Sequence, residues 1–395
     1  MSPLMFWKKT NTDEKKVKEL LTRRIEAVFP SKEEVRVRLK EGKELRIYLG
    51  IDPTGLDLHL GHTIPLLFLK QLLELGHKPV LVIGDFTARI GDPTNKEATR
   101  KSLTEEEVKN NMRNYLGQVY KILPKGSFEV KYNSAWLSKM RLEEFLILAS
   151  NLSAFELMTR SMFKERREKG NFLGTHEFLY PLMQGYDSVA MKIDGEVGGN
   201  DQTFNMLVGR DLEKKLLNKD KFVFATRLLV DAESGKKMSK TEGGLISLSD
   251  SPQDMFGKTM KTVPDEMTAL VFRLCTEKPL EWIEEKSKGE PYEFKKELAS
   301  ELVRMYYGEK EAMDTWQEWN KVFSKGELPS EMEEVKTAKL VELVGLVTQR
   351  NSSSTKTLID QGAVKVNGEV KKEWNFTPKE GDVVQIGPKK FVKIK

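Results

Sequence analysis

Along the first half of the chain, short apolar runs alternate with stretches whose apolar residues recur at helical spacing. Arg46–Ile51 is β-rich and reads as a strand. From His62 to Leu75 the positions Ile64, Leu67, Phe68, Leu72 and Leu75 share one helical face, with Pro65 tolerable in a first turn and Gly76 as a natural stop. Pro79–Ile83 is a buried-strand run. Strand, helix and strand within about 40 residues predict a βαβ unit and hence a parallel sheet. Ligands of such sheets bind beyond the carboxyl ends of the strands, where the strand order reverses. The loop Asp52–Gly61 leaves its strand at such an end.

Further on, Leu103–Arg167, Tyr180–Lys192 and Gln202–Leu217 are expected to be largely helical, with Gly198-Gly199 as a turn. Ser249–Phe323 carries amphipathic helices and little strand signal. Gly326–Lys339 is charged, contains Gly326 and Pro329, and is the linker candidate. Beyond it the pattern predicts a helix over Ser353–Gln361, a strand over Ala363–Val366, a hairpin turn at Asn367-Gly368, and strands over Val383–Ile386 and Lys390–Ile394. The expected organisation is an α/β, Rossmann-like parallel-sheet domain over residues 1–247 with a helical insertion at about 103–170. An α-helical domain over 248–330 and a small α+β module over 337–395 complete it. No repeats or low-complexity tracts interrupt it.

Composition narrows the function classes. Hydrophobic residues make up 39% and charged residues 32%, the profile of a soluble globular protein, and no apolar run approaches the roughly 20 residues of a membrane span. The apolar run Leu4–Trp7 is too short to be read as a signal-peptide core. Cys275 is the only cysteine, which excludes an intrachain disulfide and fits a reducing cytoplasm. The net charge is +5, and its distribution is uneven: Thr337–Lys395 holds 11 Lys/Arg against 6 Asp/Glu, and the rest holds 54 of each sign. A basic terminal module suits a polyanion such as nucleic acid, although a mildly basic soluble tail has the same composition.

Two short segments carry candidate chemistry. His59-Leu60-Gly61-His62 places two of the four histidines at a strand-to-helix junction. There the helix dipole and backbone N–H groups favour phosphate, imidazoles donate to its oxygens, and Gly61 allows close approach. A metal site would need a further positioned ligand, and two histidines that merely cap a helix are the plain structural alternative. Lys236-Lys237-Met238-Ser239-Lys240-Thr241 suits an anion-gripping loop, or simply a solvated charged one.

Together, the pair resembles the two signatures of class I aminoacyl-tRNA synthetases, in order and at a spacing of about 175 residues. Four further stretches are similar to tyrosyl-tRNA synthetases of bacterial type: Tyr48–Thr54, Gly91-Asp92-Pro93-Thr94, Tyr180–Asp187 and Gly198–Gln202. The C-terminal segment resembles the RNA-binding module that those enzymes share with a ribosomal protein. The tryptophanyl relatives are the alternative; Tyr48, Asp187 and the C-terminal module favour tyrosine.

The resemblance implies a two-step activity: tyrosyl-adenylate formation from ATP, then transfer to tRNA(Tyr). It implies ATP with Mg2+ as substrate, no tightly bound metal or organic cofactor, a homodimer, a cytoplasmic setting and no membrane partner. It also implies roles by position. Tyr48 and Asp187 meet the phenol; Asp92, Tyr180 and Gln184 hold the α-ammonium group; Gln202 lies near the carboxylate. Gly50, Asp52, Gly61, Gly199 and Asp201 border the nucleotide. Thr54, His59, His62, Lys237 and Lys240 act on the phosphates, helped by Lys96, Arg100, Ser239 and Thr241. Arg350, Lys356, Lys365, Lys371 and Lys372 contact RNA. These roles suit the residue types: a cation needs acceptors, and a buried phenol needs a donor and an acceptor. The substrate carboxylate is already a nucleophile, so positioning and charge stabilisation carry the expected catalysis.

Overall fold

The structure is a computed structural model that describes residues 10–93, 103–159, 161–171, 174–230, 245–324, 328, 332–387 and 390–395. The chain divides into two compact units, residues 1–312 and 313–395.

The first unit is built on a six-stranded sheet of β1 (Ile25–Phe29), β2 (Arg46–Ile51), β3 (Lys78–Ile83), β4 (Glu129–Tyr132), β5 (Gly195–Gly199) and β6 (Phe222–Thr226). Its strand order is β1-β6-β5-β2-β3-β4, parallel throughout except for β1, which runs antiparallel to β6. In β2 and β3, Ile47, Tyr48, Leu49, Val80, Leu81 and Val82 are buried. Both faces of the strands are covered, which is why these segments read as continuous apolar runs rather than alternating ones. The helix Leu60–Glu74 carries the chain from β2 to β3. After β4 the chain returns to the other side of β2 to form β5, so the strand order reverses between β2 and β5.

Two long helices, Thr175–Met191 and Thr203–Leu217, flank β5 in the chain. They meet at glycines: a Cβ on Gly185 would lie 3.0 Å from the Gly209 backbone nitrogen. The helices from Pro252–Thr262 to Pro291–Tyr307 belong to the same unit, and two buried arginines bind them to its start. Arg23 donates to the carbonyls of Arg273, Thr276 and Lys278, and Arg24 to those of Leu274 and Thr276. Among the described residues no helix is long and apolar enough to cross a membrane.

The second unit holds a sheet of β7 (Glu333–Val335), β8 (Val364–Val366), β9 (Glu369–Val370), β10 (Val383–Ile386) and β11 (Lys390–Ile394), in the order β7-β11-β10-β8-β9. Helices Leu340–Thr348 and Ser352–Asp360 close its core, which is made of Leu340, Leu343, Val344, Ile359, Val364, Val384 and Val392.

Several expectations are corrected. The 103–167 region is largely helical as expected but also holds strand β4, whose short run of mixed polarity pairs with β3 at the sheet edge. Gly198-Gly199 ends β5 rather than forming a free turn, and both glycines pair with β6. Part of the expected linker is β7, which pairs parallel to β11. Pro65 lies in the second helical turn, since the helix starts at Leu60; it has no N–H to offer the Gly61 carbonyl.

Candidate active site

The carboxyl ends of β2, β3 and β5 release three loops: Asp52–His59, Gly84–Asp92 and Asn200–Gln202. Most of the predicted amino-acid and nucleotide residues stand on these loops or on the helix Thr175–Met191. Tyr48 sits mid-strand in β2, opposite Val80 of β3 and Glu196 of β5, and is fully buried. Its hydroxyl lies 3.1 Å from the Ser188 Oγ.

A first polar network joins Asp52 and Asp187. Asp52 accepts from the Thr87 hydroxyl at 2.7 Å and from the Tyr180 hydroxyl at 2.8 Å. Gly84 is obligatory here, because a Cβ would come within 1.9 Å of the Asp52 carboxylate. Asn133 donates to the Thr87 Oγ1 at 2.9 Å and to Asp187 at 3.4 Å. Trp136 Nε1 donates to the other Asp187 oxygen at 2.7 Å. Asp187 is only 3% exposed although it stands on a helix, where a carboxylate more often faces water. Burial pushes its carboxyl well above the usual range, against the Trp136 and Asn133 hydrogen bonds. Asp52 is pushed up to about 7, chiefly by burial, with Thr87 and Tyr180 opposing. Burial and then Asp52 raise the Tyr180 hydroxyl in turn.

A second network is centred on Gln184. Its Nε2 donates to Glu196 at 3.1 Å, and its Oε1 accepts from Asn205 at 3.1 Å. The same Asn205 amide donates to Gln202 at 3.0 Å, and Gln202 donates to Asp92 at 2.6 Å. Behind it lies a fully buried ion pair of Lys221 and Glu196. The six residues expected around the amino acid (Tyr48, Asp92, Tyr180, Gln184, Asp187 and Gln202) are thus brought to one end of one sheet. Carboxyl groups held above their ordinary range favour a ligand that brings O–H donors and positive charge.

At the start of the helix Leu60–Glu74 the histidines cap each other's backbone. His59 Nδ1 accepts from the Gly61 N–H at 3.0 Å, and His62 Nδ1 accepts from the His59 N–H at 3.2 Å. The rings are 4.0 Å apart. With Nδ1 accepting on both rings, the proton of each neutral imidazole sits on Nε2, which remains a donor. Burial, then His59, pushes His62 down to about 3, so it is neutral at physiological pH. Capping and phosphate donation are therefore compatible, because they use different nitrogens. Among the described residues no group of three or more His, Cys, Asp or Glu side chains could hold a metal ion.

Thr54 and Gly50 are exposed, and Asp201 and Gly61 are half-buried. A Cβ on Gly199 would come within 2.6 Å of the Asp201 carboxylate and 2.9 Å of Leu228. Lys96, Arg100, Lys237, Ser239, Lys240 and Thr241 lie outside the described residues. The chain just after the lysine segment is nonetheless tied to the histidines: Leu60 N–H donates to Ile246 O at 3.1 Å, and Leu248 N–H to Leu58 O at 2.8 Å. Residues 246–248 thus lie beside the start of the histidine-bearing helix. In the second unit, Arg350, Lys365 and Lys372 are exposed, whereas Lys356 lies over the Trp374 ring at 4.6 Å and Lys371 pairs with Glu369 at 3.0 Å.

Residues 40–324 match the family of class I tRNA synthetases for tryptophan and tyrosine. The chain is 39% identical to a tyrosine–tRNA ligase of Carboxydothermus hydrogenoformans, over 95% of this chain and 97% of that one. It is 40% identical to tyrosine–tRNA ligase 2 of Vibrio parahaemolyticus over the same shares. The chain belongs to the tyrosine–tRNA ligases. A Thermotoga maritima ligase is 38% identical over 97% of this chain and 98% of its own. Solved structures agree on the fold. The truncated mitochondrial tyrosyl-tRNA synthetase of Aspergillus nidulans has a TM-score of 0.65 at 24% identity, covering 78% of this chain and 94% of that one. The Archaeoglobus fulgidus enzyme complexed with L-tyrosine has a TM-score of 0.60 at 22% identity, over 76% and 98%. The tryptophanyl alternative is not favoured, since the named relatives are ligases for tyrosine.

In this member of the tyrosine–tRNA ligases, the motif residues are hydrogen-bonded to polar neighbours that no motif names. Sequence reasoning missed Thr87, Asn133, Trp136, Ser188, Glu196, Asn205 and Lys221. No local signal marks them, apart from Lys221 directly preceding the largely apolar β6.

Proposed function

We propose that this chain activates L-tyrosine with ATP and transfers the tyrosyl group to tRNA(Tyr). The observation that carries the reading is the pair of polar networks at the carboxyl ends of β2, β3 and β5. They present Tyr48 and Asp187 for a phenol, and Asp92, Tyr180 and Gln184 for an ammonium group. A tyrosine carboxylate oxygen attacks the α-phosphorus of ATP, the bond to the bridging oxygen breaks, and pyrophosphate leaves. No general base is needed. His59 and His62 donate from Nε2 to phosphate oxygens, and Thr54, Lys237 and Lys240 assist. Lys96, Arg100, Ser239 and Thr241 hold the leaving pyrophosphate. Gly50, Gly61 and Gly199 give the nucleotide room, and Asp52 and Asp201 border its ribose. Gln202 lies near the substrate carboxylate. Mg2+ enters with the nucleotide and serves to neutralise pyrophosphate charge.

In the second step the terminal ribose hydroxyl of the tRNA attacks the adenylate's carbonyl and AMP leaves. Residues 337–395 assist by contacting RNA through Arg350, Lys356, Lys365, Lys371 and Lys372, and residues 1–247 and 248–330 form the catalytic and helical domains. The enzyme works in the cytoplasm as a homodimer. Exposed Leu142, Leu146, Ile147 and Phe155 on successive helices support self-association. The test is ATP–pyrophosphate exchange with tyrosine, tryptophan and phenylalanine side by side. Exchange with tyrosine alone is the expected result; preference for tryptophan, or silence with all three, overturns the reading.

A further inference from the structure

Lys221 is a fully buried ammonium that directly precedes β6, and the chemistry above makes no use of it. It pairs with Glu196 and donates to the Ser188 Oγ at 2.7 Å. Its Nζ also lies 5.8 Å from the Tyr48 ring centre. The space for it exists because residue 209 is glycine: a Cβ there would sit 2.6 Å from the Lys221 Nζ and 2.9 Å from the Ser188 Oγ. Desolvating two charges costs about as much as their pairing returns, so the pair adds little net stability and calls for a reason beyond it.

We propose that Lys221 and Ser188 form a polarised hydrogen-bond relay that orients the Tyr48 hydroxyl as a donor into the pocket, and so helps select a phenol over a bare ring. Ser188 is fully buried, and its hydroxyl proton needs an acceptor. Lys221 fills one of its lone pairs, and the Tyr48 oxygen at 3.1 Å is the acceptor at hand. Donation from an ammonium also makes the serine O–H a stronger donor. With Ser188 donating to Tyr48, the tyrosine's own proton is shared between Glu196, which it also reaches, and a ligand in the pocket. Glu196 is the competitor for that proton. Lys221 neutralises it on one oxygen and Gln184 donates to the other. The substrate phenol then accepts from Tyr48 and donates to Asp187, whose orientation is held by Trp136. Lys221 and Ser188 are positioning residues in this scheme, because they act through Tyr48.

The inference rests on the phenol binding between Tyr48 and Asp187, and the experiment separates the two ideas. The readout is kcat/KM in ATP–pyrophosphate exchange for tyrosine and for phenylalanine, in the full-length protein. Ser188→Ala is expected to lower the tyrosine-to-phenylalanine ratio by about 10-fold, the scale of one lost hydrogen bond, with the phenylalanine value unchanged. Lys221→Met combined with Glu196→Gln removes both buried charges and keeps an acceptor for Gln184; it is expected to lower the ratio similarly. A wild-type ratio in the double variant overturns the relay, as do equal losses for both amino acids, which mark a merely structural role. Tyr48→Phe is the control. If it shifts the ratio and the other variants do not, the pocket stands and the relay falls; if it leaves the ratio unchanged, both fall.

Discussion

Asp187 and Lys365, both proposed to meet a ligand, stand in opposite settings. Asp187 is 3% exposed, wired to Trp136 at 2.7 Å, and held well above its ordinary pKa by burial. Lys365 stands in solvent on β8, as Lys372 does just after β9. In the first setting every polar atom must find a partner, so a ligand lacking one group leaves a costly gap. In the second, water and salt serve as substitute partners, so each contact is weak, additive and screened. Buried wiring suits discrimination between two amino acids that differ by one hydroxyl. Exposed lysines suit a long polyanion.

The largest effect is expected at the buried end. Asp187→Ala should cut kcat/KM for tyrosine in pyrophosphate exchange by roughly 100-fold or more, the loss of a charge-assisted hydrogen bond. A change below a few-fold would erase the contrast. His59→Asn comes next. Asparagine keeps the helix cap, so thermal stability should stay within about 0.5 kcal/mol of the parent. It removes the Nε2 donor, so single-turnover adenylate formation should fall by about 100-fold, the scale of a lost transition-state donor. A matching loss of stability would make the histidine a cap alone.

Asp52 sharpens the comparison through pH. Its folded pKa is up at about 7, above that of the unfolded chain, so the native state holds the extra proton. That contribution stabilises the fold below the unfolded pKa and is lost as pH rises towards and through 7. His62 opposes it: pushed down to about 3 in the fold, it costs stability as pH falls from its ordinary range. Asp52→Asn should therefore raise Tm relative to the parent more at pH 8 than at pH 5, while lowering adenylate formation. Calorimetry at the two pH values checks the sign. The smallest effects belong to the exposed end. Lys365→Ala or Lys372→Ala should weaken tRNA binding about 2- to 5-fold and lower the log–log salt slope by about 1 each, leaving pyrophosphate exchange intact. A loss of exchange would mean that these lysines do more than bind RNA.

Legibility in the sequence followed the same divide. Strands β2, β10 and β11 appear with the expected bounds, because each sits in a clear apolar context with turn residues beside it. β5 was hidden by its three glycines, and β4 by its mixed polarity at a sheet edge. The helix Leu340–Thr348 also went unpredicted, although its sequence is strongly apolar, because it follows directly on a charged stretch. Asp187 was legible as a motif residue, whereas its burial was not. Trp136 and Asn133 reach it from more than 50 residues away.

The sequence by itself determined the parallel α/β class, the two signature segments, the family and the residues expected to touch substrate. These are local patterns, carried by spacing and side-chain type. Only the tertiary structure decided which polar groups lie buried together: that Asp52 binds Tyr180, that both histidines spend Nδ1 on the backbone, and that Lys221 stands behind Tyr48. The reason is physical. Burial and pairing depend on neighbours that converge from β2, β3, β5, β6 and two helices, and no stretch of chain contains them all.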